Sequence, residues 1–202
     1  MNQVQKIYLS SLSIPNEQAF KQLFEKTQSN RIAIIPNAGD VYPKEKSLPY
    51  VEALCVRLKS MGFEPIILDL LEYKDRRDDL KKTLRNFQGV WIMGGNTFYL
   101  NWAIQQSSFH KLIIELIKNG LVYGGESAGA VIAGRTLHGI ENIDDSNLAP
   151  EVIWDGLGLV DYGIIPHWGN EKYIEVLDKC AIDMAQYATV KTLGDSDYIL
   201  TS

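Results

Sequence analysis

A serine stands midway between two glycines in Gly125-Glu126-Ser127-Ala128-Gly129. The apolar run Leu121-Val122-Tyr123 precedes it, and the small residues Ala128-Gly129-Ala130 follow. Strand, sharp turn and helix in that order are what a nucleophile elbow requires. Glycines two residues to either side let strand and helix approach closely. The serine is then forced onto a cramped backbone with its hydroxyl exposed at the carboxyl end of the sheet. The first N–H groups of the helix lie beneath it, and the N–H of Ala128 can meet a developing oxyanion. The chemistry implied is acyl transfer through Ser127. A helix N-cap serine beside a packing glycine accounts for the same residues without chemistry.

Three further groups could complete such a site. Gly94-Gly95-Asn96-Thr97 follows another apolar run. Its glycines free backbone N–H groups to approach a ligand, so Gly95 is the candidate second oxyanion donor. The bland alternative is a strand-to-helix turn capped by Asn96 or Thr97. Of the three histidines, His167 follows Gly163-Ile164-Ile165-Pro166, which places it at the end of a strand. Parallel sheets put reactive groups there, so His167 is the candidate general base. His110 falls within an amphipathic helix and is assigned to its exposed side, while His138 comes soon after the nucleophile helix. For the acid that orients the imidazole, Asp195 in Leu193-Gly194-Asp195-Ser196-Asp197 competes with Asp197 and with the pair Asp144/Asp145. A surface turn of Gly, Asp and Ser is the alternative for that stretch.

The elements that must position these residues can be read from the spacing of apolar side chains. Short Ile/Val-rich runs predict strands at 7–9, 31–36, 64–70, 89–93, 121–125, 160–166 and 198–201. Helical spacing predicts helices over 16–27, 48–61, 76–86, 99–106, 108–118, 171–185 and from 127 to 133. Continuous apolar strands alternating with helices predict an α/β fold, a mostly parallel sheet with helices on both faces. The stretch from His138 to Leu157 is polar and aperiodic, and reads as a functional surface excursion. The last strand comes at the very end of the chain, where a partner for it is not evident.

Composition narrows the function classes. With 202 residues, 46% hydrophobic and 22% charged, the chain is read as one domain over residues 1–202, with room for a short C-terminal extension. The net charge is −5, and no Lys/Arg-rich run suggests a nucleic-acid face. Two cysteines far apart, Cys55 and Cys180, give no disulfide framework. No apolar run is long enough to cross a membrane and no signal-like segment opens the chain, so a cytoplasmic protein is expected. No metal-ligand cluster has helical spacing, and no G-x-G-x-x-G follows the first strand, so neither metal nor cofactor is expected.

Together, Gly94-Gly95-Asn96-Thr97-Phe98, Gly125-Glu126-Ser127-Ala128-Gly129-Ala130 and Ile165-Pro166-His167 resemble the motifs of the peptidase E family, the α-aspartyl dipeptidases, with cyanophycinases as relatives. The resemblance runs in the same order over nearly the whole chain. It implies a serine peptidase on a class I glutamine-amidotransferase-like, flavodoxin-like three-layer fold, acting on short peptides as monomer or homodimer. It further implies Ser127 as nucleophile, His167 as base, Asp195 as third member, Gly95 and Ala128 as oxyanion donors, and Asn96, with Thr97 beside it, against substrate. There are two departures. The best-known members carry Glu where this chain has Asp195, and an arginine after the histidine that helps bind an acidic substrate side chain. No arginine follows His167 here. Lys172 is the nearest replacement, a point charge without the guanidinium fork. A non-peptidase acyl hydrolase and a silent small-ligand binder are the competing classes. Glutamine amidotransfer is disfavoured, because that chemistry uses cysteine at the elbow.

Overall fold

Apolar runs become strands here because both faces of the sheet are covered. The computed structural model describes residues 5–25 and 29–201. Strands β1 (Ile7–Ser10), β2 (Arg31–Ile35), β3 (Glu64–Ile67), β4 (Gly89–Ile92) and β5 (Val122–Glu126) pair in parallel. Two short strands follow, β6 (Gly163–Ile165) and β7 (Val190–Thr192), then β8 (Tyr198–Thr201). The main sheet has the order β3-β2-β4-β5-β1-β8, and β6 with β7 forms a second, two-stranded sheet. The closing strand β8 does find a partner: it pairs antiparallel with β1 at the sheet edge.

Successive side chains of a strand point to opposite faces, and the core divides accordingly. Tyr8, Ile32, Ile34 and Trp91 pack on one face with helices α1 (Glu17–Gln22) and α2 (Lys44–Ser60), through Phe20, Leu54 and Leu58. Ile7, Leu9, Ile35 and Ile92 pack on the other face. There they meet α3 (Arg77–Leu84), α4 (Thr97–Gln106) and α5 (Phe109–Lys118), through side chains such as Leu80, Phe98 and Leu112. The sheet is therefore the middle of three layers, the mostly parallel α/β architecture expected. Side-chain caps start two of the helices: Asn16 accepts from the Ala19 N–H at 3.0 Å, and Asn96 from the Tyr99 N–H at 2.9 Å.

Several boundaries differ from the sequence reading, each for a local reason. Helix α2 begins at Lys44, not Leu48, because the Lys46 and Ser47 N–H groups both donate to the Pro43 carbonyl. The helix expected over 16–27 ends at Gln22, and its last two positions lie outside the described residues. The helix expected from 127 to 133, α6, is only Ala128–Val131. Its continuation is cut off because the Leu157 and Leu159 N–H groups take the Ile132 and Ala133 carbonyls. The first of these bonds also pins the end of the 138–157 segment, most of which lies at the surface as expected. That segment is anchored by buried Ile140, Ala149 and Leu157, and the Asn101 amide donates to the Ile153 and Asp155 carbonyls at 2.9 Å each. The largest correction concerns 160–166. Only Gly163–Ile165 is a strand, and it does not join the main sheet. It pairs in parallel with β7, a strand the apolar pattern does not predict, and α7 (Ile174–Met184) makes the crossover between them.

Candidate active site

Ser127 stands between the end of β5 and the start of α6 with φ 48° and ψ −114°. This is a strained conformation for a residue with a side chain. Tight packing around it leaves little alternative. A Cβ on Gly125 would lie 2.3 Å from the Gly129 carbonyl oxygen, and one on Gly129 would lie 2.1 Å from that of Ile92. Only glycine lets β5, α6 and β4 approach this closely. Backbone bonds hold the turn: Ser127 N–H donates to Ser10 at 3.1 Å, and Ala130 and Val131 donate to the Ser127 carbonyl at 2.9 Å each.

The loop Gly94-Gly95 lies directly against the serine. A Cβ on Gly94 would sit 3.0 Å from the Ser127 Cβ and 3.4 Å from its Oγ. Gly95 has φ +142° and faces the Ala38 carbonyl so closely that any Cβ would meet its oxygen at 2.2 Å. This loop thus requires glycine for its conformation and its packing alike. Asn96 and Thr97 are both buried. The Asn96 side chain caps α4 and donates to the Asp145 carbonyl at 2.9 Å, so the capping reading accounts for its polar contacts.

His167 and Asp195 are delivered by the second sheet. Parallel pairing puts Ile165 opposite Thr192, so the chain just beyond β6 and just beyond β7 emerges side by side. His167 Nδ1 lies 2.8 Å from Asp195 Oδ1, and His167 Nε2 lies 3.0 Å from Ser127 Oγ. Asp195 therefore needs no bridging group to reach the imidazole, despite being a methylene shorter than Glu. His167 itself has φ +62°. The Trp168 N–H pins it to the Leu193 carbonyl at 2.9 Å.

The rival acids go elsewhere. The Asp145 carboxylate accepts from Asn147, from the backbone at 3.0 Å and the side chain at 2.9 Å. Asp144 accepts the Thr97 N–H at 2.8 Å, and Asp197 the Gly194 N–H at 2.8 Å. Among the described residues, Asp195 is the acid that hydrogen-bonds His167. Of the other histidines, His138 is stacked between Trp154 and Tyr187, at 4.5 and 3.7 Å between ring centres. His110 is half-buried, not exposed as expected. Its Nδ1 lies 3.4 Å from the Ile104 carbonyl, and burial lowers its pKa.

Two residues that sequence reasoning missed complete the arrangement. The Asn170 amide donates to Asp195 Oδ2 at 3.0 Å. Ser11, immediately after β1, contacts both His167 and Asp195. The available signal was position alone: Ser11 follows a strand at the carboxyl end of a parallel sheet, where sites form. The hydrogen bond from His167, with those from Asn170 and Ser11, holds the Asp195 carboxyl below its ordinary range. Burial raises the pKa of two nearby acids, Glu126 and Asp144. In chemical terms the site has a half-buried hydroxyl on a strained turn, an imidazole within reach of its proton, and a charged carboxylate behind the imidazole. Among the described residues no group of His, Cys, Asp and Glu could hold a metal ion, and no helix is long and apolar enough to cross a membrane.

Residues 10–201 match the profile of Peptidase family S51. An uncharacterized peptidase of Listeria innocua is 30% identical over 182 residues, spanning 90% of this chain and 85% of the relative. A peptidase E of a Shewanella species is 28% identical over 144 residues, 71% of this chain and 56% of the relative. A crystal structure assigned to peptidase E, from Listeria monocytogenes, superposes with a TM-score of 0.83 at 27% identity, covering 98% of this chain and 94% of that one. With its fold and nearly its whole length matched, the chain belongs to peptidase family S51 and is a peptidase.

Proposed function

We propose that this chain is a serine peptidase of short peptides, with Ser127 as nucleophile, His167 as general base and acid, and Asp195 as the group that orients His167. The observation that carries the reading is the unbroken set of contacts Ser127 Oγ to His167 Nε2 at 3.0 Å and His167 Nδ1 to Asp195 Oδ1 at 2.8 Å.

The steps follow from that geometry. Ser127 Oγ attacks the carbonyl carbon of the scissile bond while its proton passes to His167 Nε2. Asp195 accepts from Nδ1–H, which fixes the tautomer and stabilises the imidazolium as it forms. The oxyanion is met by the N–H groups of Gly95 and Ala128; the latter opens α6 and so has no partner within its own helix. His167 returns the proton to the leaving amine, leaving an acyl-enzyme. Water then attacks the acyl carbon, giving its proton to His167 Nε2, which passes it to Ser127 Oγ as the acyl C–O bond breaks and the acid product leaves.

Substrate preference rests on what surrounds His167. Tyr173 lies 5.9 Å away between ring centres, and the Lys172 ammonium sits 4.9 Å above the Tyr173 ring. Lys172 offers one compact positive charge for an acidic N-terminal residue, weaker and less directional than a guanidinium. The reading therefore includes dipeptides with tolerance at the N-terminal position and a modest preference for Asp. The test is a fluorophosphonate probe on the full chain, with Ser127→Ala as control, followed by dipeptides varied at the N-terminal residue. Labelling lost in Ser127→Ala, with cleavage of dipeptides, is expected. Labelling with cleavage of simple esters alone would make the protein a non-peptidase acyl hydrolase. No labelling would mean that Ser127 is not an active nucleophile and would overturn the serine mechanism.

A further inference from the structure

Ser11 is fully buried, in a Ser-Ser-Leu-Ser stretch that by composition belongs on a surface turn. Parallel pairing of β1 with β5 sets Ser10 beside Glu126, so Ser11 comes out next to Ser127. Its Oγ accepts the His167 N–H at 2.7 Å and donates to Asp195 Oδ1 at 3.1 Å. A hydroxyl has one proton and two lone pairs, and these two bonds use the proton and one of them. The further contact to His167 Nδ1, at 3.3 Å, is longer than the 2.8 Å from that nitrogen to Asp195. The ring proton therefore goes to the carboxylate.

The loop that carries this hydroxyl is fastened on several sides. The Ser13 N–H donates to Glu126 Oε2 at 2.6 Å, and Ser10 Oγ donates to the Ser13 carbonyl. The Arg57 guanidinium donates to the Ile14 carbonyl at 2.6 Å and to Ser13 Oγ at 3.1 Å. A serine that merely satisfied itself in the core would not need so many anchors. His167 is the residue with most to gain, since φ +62° disfavours it unless its backbone is held.

We propose that Ser11 is a positioning residue for the His167–Asp195 pair, one hydroxyl locking the backbone of the base and the carboxylate of the acid in a single geometry. This rests on the serine-peptidase reading above. Ser11 touches no substrate atom; it acts by keeping Nδ1 aimed at Asp195 and hence Nε2 aimed at Ser127. It also helps hold the shorter Asp in place, together with Asn170.

The test uses the full chain and its Ser11→Ala variant, reading fluorophosphonate labelling of Ser127 and dipeptide turnover against pH. Ser11→Ala is expected to label and turn over roughly 10- to 100-fold more slowly, the effect of one lost buried hydrogen bond, with KM changed by less than about 2-fold. The acid limb of both profiles should move to higher pH, because Asp195 loses a donor to its charged form. The titratable groups facing His167 are Asp195, Asp144 and Glu126, with Tyr173 beside the ring. The last three are unchanged in the variant, so the movement belongs to the His167–Asp195 pair. A folded variant with unchanged rates overturns the proposal. Slower rates with an unmoved acid limb overturn it too, since Ser11 would then only fill space. If Ser11→Ala does not fold, hydrogen exchange at the His167 amide of the unmodified protein decides. Protection of about 100-fold or more over the unstructured rate supports the bond to Ser11, and exchange at the unstructured rate overturns it. Absence of labelling in the unmodified protein sinks the peptidase reading itself, and this proposal with it.

Discussion

At the scale of single residues, the proposed mechanism depends on three side chains that are useful only together. Ser127→Ala and His167→Ala are each expected to lower dipeptide turnover by roughly 10⁴- to 10⁶-fold, and the double variant should be scarcely worse, as residues acting as one unit fail together. Asp195→Asn should cost on the order of 10⁴-fold, because an amide that donates to the imidazole favours the wrong tautomer. Asp145→Asn, whose carboxylate meets Asn147 and not His167, should leave turnover within about 2-fold of the parent. Steady-state kinetics on these five variants and the parent settle the assignment; equal losses at Asp145 and Asp195 would contradict it. The pH dependence has a definite sign. Asp195 is held below its ordinary value of 3.8, first by the hydrogen bond from His167. Its contribution to stability is complete above the unfolded value and is lost as pH falls through the lower folded one. Asp195→Asn should therefore flatten the fall in melting temperature below about pH 4, as read by calorimetry from pH 2 to 6.

At the scale of elements, the elbow depends on β5, α6 and β4 touching through glycine. Gly129→Ala places a Cβ 2.1 Å from a backbone oxygen of β4, which flexible side chains cannot relieve. A loss of about 1–3 kcal/mol is expected, or roughly 2–4 °C in melting temperature per kcal/mol. Turnover should fall further than stability, since the shift lands on Ser127. A variant as stable and active as the parent would show that β4 and α6 can separate freely. Glu126 makes a second test. One carboxyl oxygen accepts from Trp91 Nε1 at 3.3 Å and the other from the Ser13 N–H at 2.6 Å. Both contacts are N–H donors, and a glutamine has only one acceptor to offer them. Glu126→Gln should therefore destabilise the fold by about 1–3 kcal/mol, although it removes a carboxyl whose pKa burial has raised. Urea denaturation of the two proteins measures this; a more stable variant would mean that the buried charge costs more than the lost bond.

At the scale of the whole molecule, the site is assembled from two sheets. The main sheet brings Ser11, the Gly94-Gly95 loop and Ser127, while β6 and β7 bring His167 and Asp195. Serine and base thus belong to separately paired elements, and their 3.0 Å contact depends on how those elements pack. Mild denaturant should consequently abolish turnover before it melts the main sheet, a difference seen by comparing activity with circular dichroism over one urea series. Coincident transitions would show that the two sheets melt as one unit. The half-buried His167 and Asp195 side chains, 22% and 38% exposed, lie close to the surface. Dipeptides and tripeptides should be cut far faster than casein, measured at equal mass of substrate; rapid digestion of casein would argue for an extended binding surface.

The amino-acid sequence alone determines the layered α/β plan, because Ile/Val runs can be buried on both faces only in a parallel sheet clad by helices. It also determines the strained turn at Ser127, since Gly125, Ser127 and Gly129 are local in the chain and their spacing carries the geometry. The family follows from motifs of that same local kind. What it leaves open is everything decided by distant segments. The polar Val-Lys-Thr of β7 has no apolar period, so the second sheet is invisible until β6 pairs with it. That pairing alone chooses Asp195 over Asp144 and Asp145, which the chain around 138–157 carries to the Thr97 end of α4 instead. Ser11 reads as a turn residue because its partners lie 156 and 184 positions away. Local spacing can specify one strained residue, but bringing a base, an acid and a hydroxyl to one point requires strand order and register, which only tertiary packing sets.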